Sequence, residues 1–199
     1  TIQNNLREYV RAGGKLYVTD YAYPVVEMAW SDFIWFDDPL HGGCVENRSP
    51  DGCNHGPPFD SPSRSLDASM SEWLLAVDDR VTGASPHAEF ETLENWNTLG
   101  GLFPGYAGDD ATTGAPTMAT PTTWVEGPWS YEAADAPADW DRTTPHPLTV
   151  TFPFGCGRVL YTTYHTVGGT TGGRHPGFNV QELVLWYLIM EVQICADSV

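Results

Sequence analysis

Basic residues are scarce in this chain. Its 199 residues include a single lysine, Lys15, and nine lysine and arginine residues in total, against 26 aspartate and glutamate residues. The formal net charge is −17. A nucleic acid or an anionic membrane surface is bound through a basic face, so this composition argues against both partners. Cations and neutral ligands such as carbohydrates are compatible with the charge, which also favours solubility.

Apolar runs of membrane length and a signal-peptide pattern are missing from these residues as well, so we expect that any export signal has been removed or lies upstream. The four cysteines indicate the compartment instead. We predict a disulfide between Cys44 and Cys53 across a Gly/Pro-rich loop, and a second one between Cys156 and Cys195, although four cysteines allow three pairings. Disulfides place the chain outside the cytosol, in the periplasm or the extracellular space. No CxxC pair is present, which makes a zinc site the weaker alternative.

The strongest structural pattern lies near the start of the chain. Gly13 and Gly14 separate a helical pattern from the apolar run Leu16–Thr19, and a second helical pattern opens near Pro24. This order is typical of a doubly wound sheet, so we predict one three-layer, flavodoxin-like α/β domain over 1–199. Because the chain opens with a helix, we expect that N-terminal strands of the parent protein are missing from it.

Periodicity predicts four further elements. Apolar residues at helical spacing indicate helices over Ser65–Val77 and Asn179–Gln193, the second of them strongly apolar. Alternation and β-branched residues indicate strands over Leu148–Phe152 and Arg158–Tyr164, joined by a tight glycine turn. We predict that these two strands form an antiparallel hairpin.

The middle of the chain, 78–147, shows no sustained period and is predicted to be a loop-rich insertion with short strands near Ala88–Leu93 and Thr122–Val125. Aromatic residues are scattered through it, among them Trp124 and Trp129. Flat aromatic rings can stack on sugar rings, so these two are candidate carbohydrate-binding residues. The alternative is that the rings fold inward as small cores beneath the loops.

Two groups of aspartates in this insertion are candidate calcium ligands. They are Asp109 with Asp110, and Asp135 with Asp139 and Asp141. Neither group has the spacing or the central glycine of an EF-hand loop, so calcium is a possible cofactor without a defined site.

Two stretches of the sequence resemble a known family. They are AGGKLYVTDYAYPVVEMAW near the start, and GCGRVLYTTYHT with QELVLWYLIMEV near the end. Both are similar to the class I glutamine amidotransferase-like superfamily, and within it to the ThuA-like domains of secreted bacterial proteins. The resemblance covers about the first thirty and the last fifty residues and implies a three-layer α/β fold.

The resemblance also implies where a catalytic site would lie. Active amidotransferases carry a cysteine at a sharp turn after the first of these strands, and a histidine followed by Pro-Glu after a late strand. The turn falls at Asp20 and Tyr21, and the histidine at His165, which is followed by Thr166 and Val167. The nucleophile is therefore absent, which argues against glutaminase activity.

A pair of polar residues remains at the predicted carboxyl edge of the sheet. Asp20 and His165 each follow a predicted strand, with Tyr21, Tyr23 and Tyr164 as candidate binding residues beside them. A carboxylate that orients an imidazole forms a general base or part of a metal site. The alternative is a buried polar pair that closes the edge of the sheet.

These observations lead to three hypotheses. The leading one is a secreted, non-catalytic binding module, with carbohydrate or another segment of the parent protein as its partner. The second is a hydrolase acting on sugars or esters, with or without a metal, in which Asp20 and His165 lie within hydrogen-bond reach at one open cleft. The third is a structural segment of a larger surface protein.

Overall fold

A computed structural model describes residues 1–36, 59–95, 99–110, 112–128, 145–166 and 178–191. The helices are α1 (Ile2–Arg11), α2 (Tyr23–Ala29), α3 (Ala68–Val77) and α4 (Val180–Glu191). The strands are β1 (Lys15–Thr19), β2 (Ile34–Phe36), β3 (Phe59–Ser65), β4 (Thr82–Ala84), β5 (His87–Asn95), β6 (Leu99–Leu102), β7 (Gly105–Asp109), β8 (Pro116–Ala119), β9 (Thr122–Pro128), β10 (Pro145–Phe154) and β11 (Gly157–Thr162).

Seven of these strands form a mixed sheet in the order β1-β11-β10-β9-β3-β5-β4. The predicted α/β class is confirmed. Only the pairing of β1 with β11 is parallel in the described part of this sheet, and the other neighbouring strands run antiparallel. Two small two-stranded sheets, β2 with β6 and β7 with β8, accompany it.

Helices cover both faces of the sheet, because successive strand residues point to opposite sides. In β11, Val159 and Tyr161 belong to the apolar core that also holds residues of α1 and α2. Leu160, which lies between them, belongs to the core that holds residues of α3 and α4. The described residues therefore form three layers, with two of their helices on each side of the sheet.

The elements predicted from strong apolar patterns are present with small shifts of their ends. The hairpin of β10 and β11 is confirmed, with Phe154 opposite Gly157 at its turn. Gly13 has a φ of +103°, which glycine adopts without strain, between α1 and β1. Among the described residues, no helix is long and apolar enough to cross a membrane.

Strand β3 has no counterpart in the sequence predictions, which assign no strand to these residues and begin a helix at Ser65. Its inward positions are Ser61, Ser63 and Ser65, all buried, so the apolar alternation that marks a strand is missing. Hydrogen bonding replaces apolar packing here: the Ser63 Oγ lies 2.8 Å from the Thr92 Oγ1 of β5. The predicted insertion also supplies β4, β5 and β9 to the main sheet.

The end of β5 meets the end of β11, although three strands separate them in the sheet order. An isolated antiparallel bridge joins Asn95 to Tyr164. The Thr163 Oγ1 donates a hydrogen bond of 2.7 Å to the Asn95 Oδ1. This contact brings residues 93–95 beside residues 163–165, and the functional groups described next lie at this junction.

Candidate functional site

The parallel pair of β1 and β11 places Asp20 and His165 at the same edge of the sheet. Thr19 is opposite Thr162 in the register, so the two strands end together. The Thr19 Oγ1 donates a 2.6 Å hydrogen bond to the backbone carbonyl of Tyr164, which fixes the segment that leads to His165. Asp20 begins a single turn of 3-10 helix that runs into α2.

The Asp20 and His165 side chains form a close pair. The Asp20 Oδ2 lies 2.5 Å from the His165 Nε2. Their exposure differs greatly: the Asp20 side chain is 1% exposed and the His165 side chain is 42% exposed. Burial of a carboxylate is costly unless a partner offsets its desolvation. The imidazole of His165 is such a partner for Asp20, and the contact restrains the ring.

A second carboxylate faces the other ring nitrogen. The Glu94 Oε2 lies 3.5 Å from the His165 Nδ1, and the Glu94 side chain is 29% exposed. This distance exceeds the 2.7–3.2 Å of an ordinary N–H···O hydrogen bond. The imidazole therefore lies between one tightly held, buried carboxylate and one looser, solvent-accessible carboxylate.

The backbone is strained at both carboxylates. Asp20 has a φ of +47° and Glu94 a φ of +52°, and in the described part of the chain no other residue apart from glycine has a positive φ. The left-handed region costs a side-chain-bearing residue about 1–2 kcal/mol. Such strain persists only where the surrounding structure imposes it, and it concentrates at functional sites.

Gln181 of α4 connects the segments that carry Glu94 and His165. It is 2% exposed. Its Nε2 donates to the carbonyls of Leu93, at 2.9 Å, and of His165, at 2.5 Å. Its Oε1 accepts from the Leu93 N–H at 3.1 Å. Three hydrogen bonds of one buried amide, two donated and one accepted, thus hold the backbone at His165 and beside Glu94.

The protonation state of the imidazole determines which chemistry this arrangement supports. A neutral imidazole donates from one nitrogen and accepts at the other, whereas an imidazolium donates from both. In a neutral ring whose proton is on Nε2, the nitrogen nearest Asp20, the Nδ1 lone pair points toward the Glu94 side and is available to accept a proton. Among the described residues, no group of three or more His, Cys, Asp or Glu side chains is arranged to hold a metal ion.

The predicted tyrosine ligands lie elsewhere. Tyr23 is 5% exposed and packs against Phe36 in the core beneath α1 and α2. Tyr164 is fully buried on the opposite face, where its hydroxyl lies 2.5 Å from the Thr149 Oγ1 and burial raises its pKa. Neither ring is presented to a ligand at His165, because each fills an apolar core. The side chain of Tyr21 lies outside the described part of the structure.

Trp124 is turned inward. Its Nε1 donates a 2.8 Å hydrogen bond to the Thr151 Oγ1, and its ring packs edge-on against Tyr187 of α4 at 6.3 Å between centroids. This placement corresponds to the alternative in which the aromatic rings build the core under the loops. Trp129, the second candidate for carbohydrate stacking, lies outside the described residues.

The disulfide predictions fall mostly outside the described residues, which exclude Cys44, Cys53 and Cys195. Cys156 lies in the exposed turn between β10 and β11. Its pairing with Cys195 therefore stays a prediction.

The calcium candidates that are described have their oxygens engaged locally. The Asp110 Oδ1 accepts hydrogen bonds from Thr112 and Thr113, and those from Thr113 lower the pKa of Asp110 most. The Asp109 Oδ1 accepts from the Tyr106 hydroxyl at 2.9 Å. Asp135, Asp139 and Asp141 lie outside the described residues.

A surface groove lies on the outer side of β3, β5 and β9, and neither Asp20 nor His165 lines it. Its charged lining includes Arg64 and Glu126, whose closest nitrogen and oxygen are 2.5 Å apart. The groove is therefore separate from the Asp20–His165–Glu94 site. That site is recognised by the side chains that it brings together and not by the shape of a pocket.

Comparison of the chain with family models, with curated proteins and with solved structures gives no match in any of the three. The resemblance to ThuA-like domains thus stays a prediction from the two quoted stretches, and the site's chemistry has to be argued from its geometry.

Proposed function

We propose that this chain is a hydrolase in which His165 is the general base and Asp20 holds it in position. The observation that carries the proposal is the imidazole between two carboxylates, at the shared end of two parallel strands. Nε2 meets a carboxylate that is 1% exposed, while the ring itself is 42% exposed. A general base must be held in one orientation and must also be accessible to the substrate. Here one side of the ring contacts the buried carboxylate, and the other side is accessible.

Burial decides between two roles for Asp20. A carboxylate at a sharp strand-to-helix turn is able to act as a covalent nucleophile, which requires access to the substrate. Both Asp20 carboxylate oxygens expose less than 1 Å² to solvent. A carboxylate enclosed in this way and 2.5 Å from an imidazole nitrogen supports the orienting role instead.

The nucleophile in this proposal is water. In the proposal a water molecule donates one hydrogen bond to Nδ1 and the other to the Glu94 carboxylate, whose Oε2 lies 3.5 Å from Nδ1. As the water oxygen attacks an ester carbonyl, Nδ1 takes one of its protons. The resulting imidazolium then returns that proton to the alkoxide as the C–O bond breaks, leaving acid and alcohol as products.

This mechanism removes the reason for preferring a non-catalytic module. The sequence argument against catalysis rests on the missing cysteine, and direct activation of water needs no protein nucleophile. The aromatic argument for carbohydrate binding is weakened by Trp124, whose indole nitrogen is bonded to Thr151 inside the fold.

The test is hydrolysis of p-nitrophenyl acetate and butyrate, with p-nitrophenyl glycosides as a second panel. General base catalysis contributes about 10²–10⁴-fold, so we expect His165→Gln to lower kcat/KM by that factor. We expect Asp20→Asn to lower it as well, because its amide favours an accepting Nε2 and moves the ring proton to Nδ1. The matched control is His87→Gln, since His87 is exposed at the far end of β5. Wild-type rates no higher than buffer, or an unchanged rate in His165→Gln, would contradict the proposal.

The finer fold assignment belongs to the same proposal. We infer a flavodoxin-like arrangement for the part that contains β1, α2 and β11, in keeping with the ThuA-like resemblance. The parallel pairing of β1 with β11 between two helical layers supports it. Export from the cytosol is part of this proposal and rests on the four cysteines.

A further inference from the structure

Gln181 differs from the other polar residues of α4 in its burial and its partners. It is 2% exposed on a predominantly apolar helix, and both ends of its amide are hydrogen-bonded to backbone at the ends of β5 and β11. A buried amide on such a helix is costly unless it is satisfied, and here it is satisfied by groups flanking the candidate site.

We propose that Gln181 is a positioning residue that sets the separation between the His165 Nδ1 and the Glu94 carboxylate. This inference rests on the proposed function. Gln181 bonds the peptide that joins Leu93 to Glu94 through the Leu93 carbonyl, and it also bonds the Leu93 N–H. The same Nε2 bonds the His165 carbonyl, so one side chain sets the distance between the two segments.

The backbone at Glu94 explains why such a hold is needed. With a φ of +52°, Glu94 favours relaxation to an extended conformation, which would swing its carboxylate away from the ring. The hydrogen bond to the Leu93 carbonyl fixes the peptide plane that precedes this rotation, and the one from the Leu93 N–H fixes the peptide plane before that. The Thr163–Asn95 hydrogen bond joins the same two segments at positions two residues from Leu93 and from His165, and it contacts neither of them.

Two substitutions of Gln181 separate the contributions of its donated and its accepted hydrogen bonds. Gln181→Met keeps the length of the side chain and removes all three hydrogen bonds. Gln181→Glu keeps an acceptor for the Leu93 N–H and, as a carboxylate, removes the donor to both carbonyls. The matched control is Ser71→Ala: Ser71 is fully buried, donates to the Pro86 carbonyl and accepts from the Ala88 N–H, and so connects α3 to the other end of β5.

The experiment measures kcat and KM for the p-nitrophenyl ester that the wild type hydrolyses fastest, together with the ring resonances of ¹³C-histidine-labelled protein. The His165 signal is assigned by its loss in His165→Gln. We expect Gln181→Met to lower kcat by about 10- to 100-fold with little change in KM, since misplacement of a catalytic group acts on the chemical step. We also expect it to shift or broaden the His165 resonance, and we expect Gln181→Glu, which cannot donate to either carbonyl, to lower kcat as well.

The outcomes distinguish this inference from the proposed function. If both Gln181 variants keep wild-type kcat and an unchanged His165 resonance, while their Tm falls as it does in Ser71→Ala, Gln181 is only a structural residue and the inference is overturned. If the resonance moves but His165→Gln hydrolyses esters like the wild type, Gln181 positions the ring and the hydrolase proposal fails. Should Gln181→Met not fold, Gln181→Glu alone gives the same readings.

Discussion

Glu94 offers a direct test of whether the site is strained. Its φ of +52° is a conformation that glycine adopts freely and alanine does not. We therefore compare Glu94→Gly with Glu94→Ala, two variants that lose the same carboxylate and the same contact with His165. Their difference in the free energy of unfolding reports the backbone conformation and is insensitive to the lost charge.

The magnitude follows from two opposing effects. Relief of the left-handed conformation favours glycine by about 1–2 kcal/mol. The greater freedom of glycine in the unfolded chain favours alanine by about 0.4–1 kcal/mol. We expect Glu94→Gly to be more stable than Glu94→Ala by about 0.5–1 kcal/mol, which is a Tm difference of about 1–4 °C for a chain of this size.

Glu91 provides the control within the same strand. It is exposed, lies opposite Pro62 in the β3–β5 ladder and has no positive φ. There we expect the opposite order, with Glu91→Gly less stable than Glu91→Ala by about 0.5–1 kcal/mol. Urea unfolding of the four variants gives both differences. If glycine is the less stable residue at position 94 as well, the strain argument is refuted.

Three further predictions concern stability. Tyr164→Phe leaves the buried Thr149 hydroxyl without its phenol partner and is expected to cost about 1–3 kcal/mol in urea unfolding, much of which a second change, Thr149→Val, should recover. Burial raises the pKa of Tyr187 to about 12, above that of an unfolded tyrosine, so its contribution to stability is complete below pH 10 and is lost as the pH rises toward 12. Tm measured from pH 9 to 11.5 should therefore fall less steeply in Tyr187→Phe than in the wild type, and an equal slope would disprove the assignment. Gly157→Ala places a Cβ against the backbone carbonyl of Val10, so we expect a loss of about 3 kcal/mol or more, or no folded protein, by thermal unfolding.

The parts of the fold that the sequence predicts are those whose apolar pattern determines their burial. β1, β10, β11 and α4 bury apolar side chains against two cores, and each is recognisable from its residues alone. β3 is not, because serines occupy its buried positions and hydrogen bonds replace apolar contacts. The alternation of apolar and polar residues in the sequence does not reveal such a strand, whose stability comes from its neighbours in the sheet.

The same distinction applies to the site. Asp20 and His165 are predictable because each follows an apolar strand, and neighbouring parallel strands end at one edge. Glu94 and Gln181 are not, since their roles depend on the end of β5 meeting the end of β11 across three intervening strands. Within β5, the change from alternating exposure to consecutive half-buried residues at Leu93 and Glu94 becomes visible only in the structure.

The aromatic residues show the limit of composition as a guide. Trp124 and Tyr23 are as consistent with a binding surface as with a core when only their residue type and loop context are known. In the structure both pack inward, because a buried ring contributes more apolar contact than an exposed one. The catalytic hypothesis, by contrast, depends on whether the fold brings Asp20, His165 and Glu94 together.

The most direct test of the central claim is the position of the proton on the neutral His165 ring. Long-range ¹H–¹⁵N spectra of histidine-labelled protein above pH 8 distinguish the two ring nitrogens, with His165→Gln used for assignment. We expect the proton on Nε2, held by Asp20, and its transfer to Nδ1 in Asp20→Asn. A wild-type ring that carries the proton on Nδ1, or that exchanges between both forms as a free histidine does, would show that Asp20 does not hold His165 as a base.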